Sequence, residues 1–229
     1  MDYESLIELV KKRRSIRKFK PEPIPNEYVD KIIEVARWAP SANNTQPWEF
    51  IVVKKQELRS SMIQLIEDQH VITRDIELTR EPELRAPFAA YPPEKPSFAD
   101  APVFIVLCGD PRTKDAYALA GEPQRKQTIF ESSLAITCIY LHLTATTLGL
   151  ASCWIAVTSD TLVEKIKTLL GISTELYFYN ITAIGYPVYQ TGPRKVRPTE
   201  EFVHHSYYDK AKFRTTEQVR DFIFALRQP

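Results

Sequence analysis

Residues 124–148 (QRKQTIFESSLAITCIYLHLTATTL) constrain the fold of this 229-residue chain more than any other stretch. The run has helix-forming composition, and Gly149 is a natural stop just beyond its end. Its apolar residues are not confined to one stripe. A helix apolar nearly all round has to lie centrally or at a subunit interface. Four apolar runs around it read as strands: WEFIVVKK (48–55), VFIVLCG (103–109), ASCWIAV (151–157) and ELYFYNITAIGYP (175–187). Helical patterns fill the spaces between: residues 2–14, about 26 to Pro40, 56–70, 158–171 and 217–227. Thr215-Thr216-Glu217-Gln218 resembles a capping box ahead of the last of these. Strands and helices thus interleave, which argues for an α/β or α+β layered fold with helices on both faces of a sheet.

Size and charge limit what such a fold can serve. The length fits one medium domain with a real core. Lys+Arg 30 against Asp+Glu 29 gives a net charge of +1, so no global field draws the chain to nucleic acid or to an anionic membrane. Any basic site is therefore local. MDYESLIELVKKRR is an amphipathic helix pattern rather than a leader sequence, and no apolar run approaches the ~20 residues of a membrane span. Cys108, Cys138 and Cys153 are odd in number, widely spaced and set in apolar runs. Buried free thiols in a reducing, cytoplasmic setting are the expectation. His70, His142, His204 and His205 show no metal-ligand spacing.

The segment 71–102 departs from this regularity. Prolines crowd it, at 82, 87, 92, 93, 96 and 102, mixed with charges and aromatics. It is too long for a connector, and it reads as an irregular, lid-like insertion rather than a linker. Phe88, Tyr91 and Phe98 could stack on a flat substrate or simply pack the segment onto the body.

RRSIRKF, residues 13–19, gathers four cations around one serine. It could be a solvated helix end, a nucleic-acid patch or a phosphate cradle. One short basic run in a balanced chain lacks the footprint that nucleic acid needs. Three distant features bear on the choice: APSANNTQPWEFIVV, LGLASCWIA and GYPVYQTGPRKVRPTEEF. Taken in order with RRSIR, they resemble the nitroreductase family of FMN-dependent flavoenzymes. That family carries a basic segment after its first helix, a P-S-x-x-N-x-Q-P-W loop, a G-L-x-x-C-W-I segment, and G-Y-P followed by K-x-R. The resemblance covers roughly residues 5–205 and is thin in 71–100.

The resemblance implies a single α+β domain over 1–229. It implies a central, mostly antiparallel sheet flanked by helices, in an entwined homodimer whose C-terminal extension, 203–229, embraces the partner. It also implies an FMN site. Arg13, Arg14 and Ser15 would hold the phosphate, joined by Lys195 and Arg197, which share a side if that segment is extended. Arginine suits the task, because its planar donors meet phosphate oxygens in pairs. Arg17 would lie at the N1/O2 edge of the flavin and stabilise its anionic reduced form. Pro40, Ser41, Ala42 and Asn43 would reach the isoalloxazine from the other subunit. Trp154, Ile155 and Ala156 would present backbone near N5, and family members often have Gly where Ala156 stands.

The activity implied is ping-pong transfer. NADH or NADPH reduces the flavin, and a nitroaromatic, quinone or related electron-poor acceptor reoxidises it. No side chain need act as acid or base, in keeping with the absence of an evident carboxylate pair. Cys153 lies within a strand without a base partner. Two specialised relatives share the fold, reductive deiodinases and FMN-fragmenting enzymes, and so would a flavin-binding protein that had lost turnover. Within 71–102, where a deiodinase carries its clamp of Glu, Tyr and Lys, Tyr91, Glu94 and Lys95 crowd together, and a general reductase ranks ahead of both specialised relatives.

Overall fold

The computed structural model describes residues 2–85, 96–118, 120–192, 194 and 196–225. Among the described residues six α-helices and four strands follow one another: α1 (Tyr3–Lys12), α2 (Asn26–Ala36), β1 (Trp48–Val53), α3 (Gln56–Glu77), β2 (Val103–Gly109), α4 (Pro123–Thr147), β3 (Ala151–Ile155), α5 (Asp160–Leu170), β4 (Tyr177–Gly185) and α6 (Thr216–Ala225). By compactness the chain divides into two units. One comprises Met1–Gln69 with Lys95–Thr191, the other His70–Glu94 with Gly192–Pro229.

The first unit is built on an antiparallel sheet of order β1-β2-β4-β3. The register runs Trp48↔Gly109, Val103↔Ile184 and Ala151↔Gly185, with a shift between Leu107 and Cys108. β2 is buried at every position. That is why VFIVLCG reads as a continuous apolar run rather than an alternating one: helices cover both faces of the sheet. On one face Phe104, Val106, Ile181 and Ala183 pack with Met62, Ile63 and Ile66 of α3 and Leu162 and Ile166 of α5. On the other, Val103, Ile105 and Ile184 pack with Val29, Ile32 and Ala36 of α2 and Leu141 and Ala145 of α4. Leu107 meets Phe130, Leu134 and Cys138, also from α4. α4 is long and apolar enough to cross a bilayer, but half of that stretch is buried inside the protein.

Helix ends follow local chemistry. Gly149, at φ +73°, closes α4, and Leu150 N–H then bonds to Ala145 O at 2.9 Å, which delivers the chain into β3. Ser159 caps α5 through Leu162 N–H, and Gly171 ends it in the left-handed region. In the second unit the capping box forms as expected. Thr215 N–H donates to Gln218 Oε1 at 2.9 Å and Gln218 N–H to Thr215 Oγ1 at 3.2 Å.

Two expectations change. α1 stops at Lys12 rather than residue 14, because Arg13 already has ψ 122°. α3 continues to Glu77, so the irregular segment starts later than residue 71. VITRDIE contains neither Pro nor Gly, and the next proline is Pro82. Phe88 and Tyr91 lie outside the described residues. Phe98 is 7% exposed and meets Phe104 edge-on at 6.3 Å, so it belongs to the core and not to a substrate surface.

Candidate functional site

The basic segment is an extended strap bound to the sheet. Ser15 bridges Ser152 in parallel, and Ile16 N–H donates to Ser152 O at 3.1 Å. Further on, Lys20 N–H donates to Tyr186 O at 2.9 Å and Val188 N–H to Lys18 O at 3.1 Å. Ile16 and Phe19 are the buried anchors. Phe19 comes so close to β4 that a Cβ built on Gly185 would stand 2.9 Å from its ring, a separation only glycine permits. With the two apolar residues turned inward, Arg13 and Arg14 are half-buried, and Ser15, Arg17 and Lys18 are exposed. Arg17 reaches Cys153. Burial pushes that thiol up, against the opposing charge and hydrogen bond of Arg17. The balance leaves Cys153 protonated, which does not suit a nucleophile.

β3 carries the second group of predicted residues. Ile155 is buried and Ala156, just past the strand, is exposed. Trp154 is 39% exposed. Its ring lies nearly parallel to that of His142 of α4, with centroids 6.4 Å apart, and meets Tyr179 edge-on at 5.4 Å. His142 Nδ1 lies 2.7 Å from Ser152 Oγ. Burial, with the Arg13 charge added, lowers the His142 pKa to about 4, so the ring is neutral.

The third group is a tight loop. Pro40 and Asn43 are exposed, Ser41 and Ala42 half-buried. Asn43, Asn44 and Gln46 all have positive φ, at 52°, 54° and 45°. Asparagine tolerates this region better than other side chains, which accounts for the Asn-Asn pair, while Gln46 is a strained outlier. The strain is held by Gln46 N–H donating to Ser41 Oγ (3.0 Å), Asn43 Nδ2 to Ala116 O (2.7 Å) and Ala42 N–H to Ser133 Oγ (3.3 Å).

Arg197 belongs to the second unit. It pairs with Glu201 at 3.0 Å and lies over the Phe202 ring at 5.3 Å. Lys195 lies outside the described residues.

Within the first unit, α4 is the common support. Through His142 it holds Ser152, to which the Arg13–Arg17 strap is bonded, and Trp154; through Ser133 it holds the 40–43 loop. Ser133 and His142 are nine positions apart in sequence, about 13 Å along a helix. The strap and β3 are therefore neighbours, while the loop attaches well along the helix. Sequence reasoning missed His142, because it asked only about metal spacing. The available signal was a polar ring inside a helix apolar all round, since such a group needs a partner.

Comparison with known proteins gives concordant results. The family model described as Nitroreductase family matches residues 10–186. A protein of Methanothermobacter thermautotrophicus named "Putative NADH dehydrogenase/NAD(P)H nitroreductase" is 28% identical over 190 residues, 82% of this chain and 81% of that protein. Iodotyrosine deiodinase 1 of Rattus norvegicus is 28% identical over 193 residues, 82% of this chain but 64% of its own length. Among solved structures, an FMN-dependent nitroreductase of Clostridium difficile R20291 superposes with TM-score 0.63 at 25% identity, over 88% of this chain and 99% of that one.

Proposed function

Because the chain belongs to the nitroreductase family, a family of FMN-dependent oxidoreductases, we propose that it is an NAD(P)H oxidoreductase acting on nitroaromatic, quinone or related electron-poor acceptors in a ping-pong cycle. The observation that carries this reading is the strap. Two apolar anchors and its hydrogen bond to Ser152 hold an extended run of cations beside β3. That donor set fits a phosphate: Arg13 and Arg14 supply planar N–H pairs and Ser15 a hydroxyl.

When bound, FMN supplies hydride acceptance and donation at its ring. The chain binds, orients and tunes it. Arg17, two residues beyond Ser15 and next to Cys153, offers positive charge where the reduced ring is anionic. Trp154, Ile155 and Ala156 border the ring with backbone. Pro40, Ser41, Ala42 and Asn43 serve the ring of a second copy, in keeping with the separation of that loop from the strap along α4.

The reading therefore includes a homodimer. Ile129, Ile136 and Ile139 lie 36–43% exposed on α4, and with Ser132 and Leu143 they make a three-and-four-spaced seam. α1 adds Tyr3, Leu6 and Val10, all more exposed still. A second copy with the same seam would cover these faces. The three free cysteines suit a reducing, cytoplasmic setting.

The test is the absorption spectrum of the purified protein before and after anaerobic addition of NADH or NADPH. A flavin band that bleaches supports the oxidoreductase. A protein that neither carries nor takes up FMN refutes it. The match to a deiodinase favours a second reading, reductive removal of iodide from halotyrosines. Iodide release by the reduced enzyme would select it over a general reductase.

A further inference from the structure

Ser152 is a joint with two attachments. Its backbone carbonyl accepts from Ile16 N–H at 3.1 Å and so fixes the strap. Its hydroxyl lies 2.7 Å from His142 Nδ1 and so fixes it to α4. Trp154 is two residues on, on the same face of β3, and its ring lies nearly parallel to the same imidazole. His142 is 4% exposed and Ser152 1%, so neither contact is diluted by water. Arg13, at the start of the strap, is the charged group felt at His142; β3 brings Ser152 and Trp154, which carry no charge.

An apolar side chain would fill this place in an apolar helix at no cost in polar desolvation. Imidazole does something a leucine cannot. Its hydrogen bond sets the rotamer of Ser152, while its flat face, which a phenylalanine would also offer, lies nearly parallel to Trp154. Resting on the FMN reading above, we propose that His142 is a positioning residue for the cofactor site, holding the Arg13–Arg17 strap and β3 in one mutual geometry through its hydrogen bond to Ser152. It touches no reacting atom. It acts by keeping phosphate donors and ring-facing backbone in register, and a small misplacement of either weakens binding.

The experiment measures FMN dissociation constants by quenching of flavin fluorescence, on the full chain, for wild type, His142→Phe, His142→Asn and Ser152→Ala. Phenylalanine keeps volume and flatness but deletes the hydrogen bond. Asparagine loses the ring but can still present a donor or acceptor toward Ser152. A packing role ranks Phe above Asn, whereas a positioning role acting through the hydrogen bond ranks Asn above Phe. Expected are affinities weakened about tenfold by His142→Phe and by Ser152→Ala, the loss of one buried hydrogen bond, with most of the affinity retained in His142→Asn. Should His142→Phe fail to fold, Ser152→Ala carries the test, since it leaves α4 intact. Wild-type affinity in Ser152→Ala, or Phe ranking above Asn, overturns the inference while leaving the FMN site standing. A wild type that binds no FMN overturns both.

Discussion

His142 should impose a measurable acid limit on stability, and its size follows from its surroundings. Burial, reinforced by Arg13, takes its pKa from 6.5 to about 4. The unfolded chain then binds a proton that the folded chain refuses. Stability is therefore highest above pH 6.5 and falls as pH drops toward 4, below which both states are protonated and the loss levels off. The full difference is about 3 kcal/mol, and at pH 5 it is about 2 kcal/mol. Other groups also respond to acid: Asp2, Glu27, Glu34 and Asp110 are held below the usual carboxylate range by hydrogen bonds from Ser5, Lys31, Arg37 and Arg112 respectively. These are common to wild type and to His142→Phe, so they cancel when the two are compared. The assay is urea unfolding of flavin-free protein at pH 8 and pH 5. Wild type should lose about 2 kcal/mol more than His142→Phe over that interval, whatever the starting stability of the variant. Equal losses would mean that His142 is hydrated or paired in a way that contradicts its burial, and the reasoning would fail.

Two further outcomes are expected. Arg13→Ala should weaken FMN retention by about 1.5–3 kcal/mol, the value of a hydrogen bond to a charged group. Arg112→Ala, which removes a cation held by Asp110 at 2.6 Å outside the strap, should leave retention unchanged; equal losses, measured after gel filtration, would remove the phosphate assignment. Ile136→Asp should convert the protein to a monomer in light scattering and release flavin with it, because the Pro40–Asn43 loop would then serve no ring; a dimer of undiminished flavin content would place the interface elsewhere.

Much of the fold was legible because burial on both faces leaves a blunt mark. β2 and α4 are each apolar without periodicity, and each turns out to be central. The strap was legible as chemistry but not as structure. Its four cations are visible in the sequence, yet the depth of Phe19 depends on Gly185, 166 residues later. Boundaries suffered where local preference was weak. Nothing in VITRDIE stops a helix, so α3 ran on past residue 70. Phe98 was ambiguous from sequence because an aromatic in a proline-rich stretch serves a core as well as a ligand, and only its contact with Phe104 separates the two.

The polar residues of α4 show where the remaining information lay. Thr137, Thr144 and Thr146 are buried, and each donates its hydroxyl to the carbonyl four residues back, at 2.8–2.9 Å. Such residues satisfy themselves within the helix and ask nothing of the rest of the protein. Ser133 does the same toward Ile129 O at 3.1 Å, but its oxygen also accepts from Ala42 N–H and so anchors the 40–43 loop. Histidine has no comparable short reach to its own helix backbone. A buried histidine in an apolar helix must therefore bond to another element, and the element nearest after the Gly149 turn is β3. By that reasoning residue 142 announces a tertiary contact, whereas the threonines around it announce none. The same distinction separates the polar residues of α4 that hold the site from those that merely survive burial.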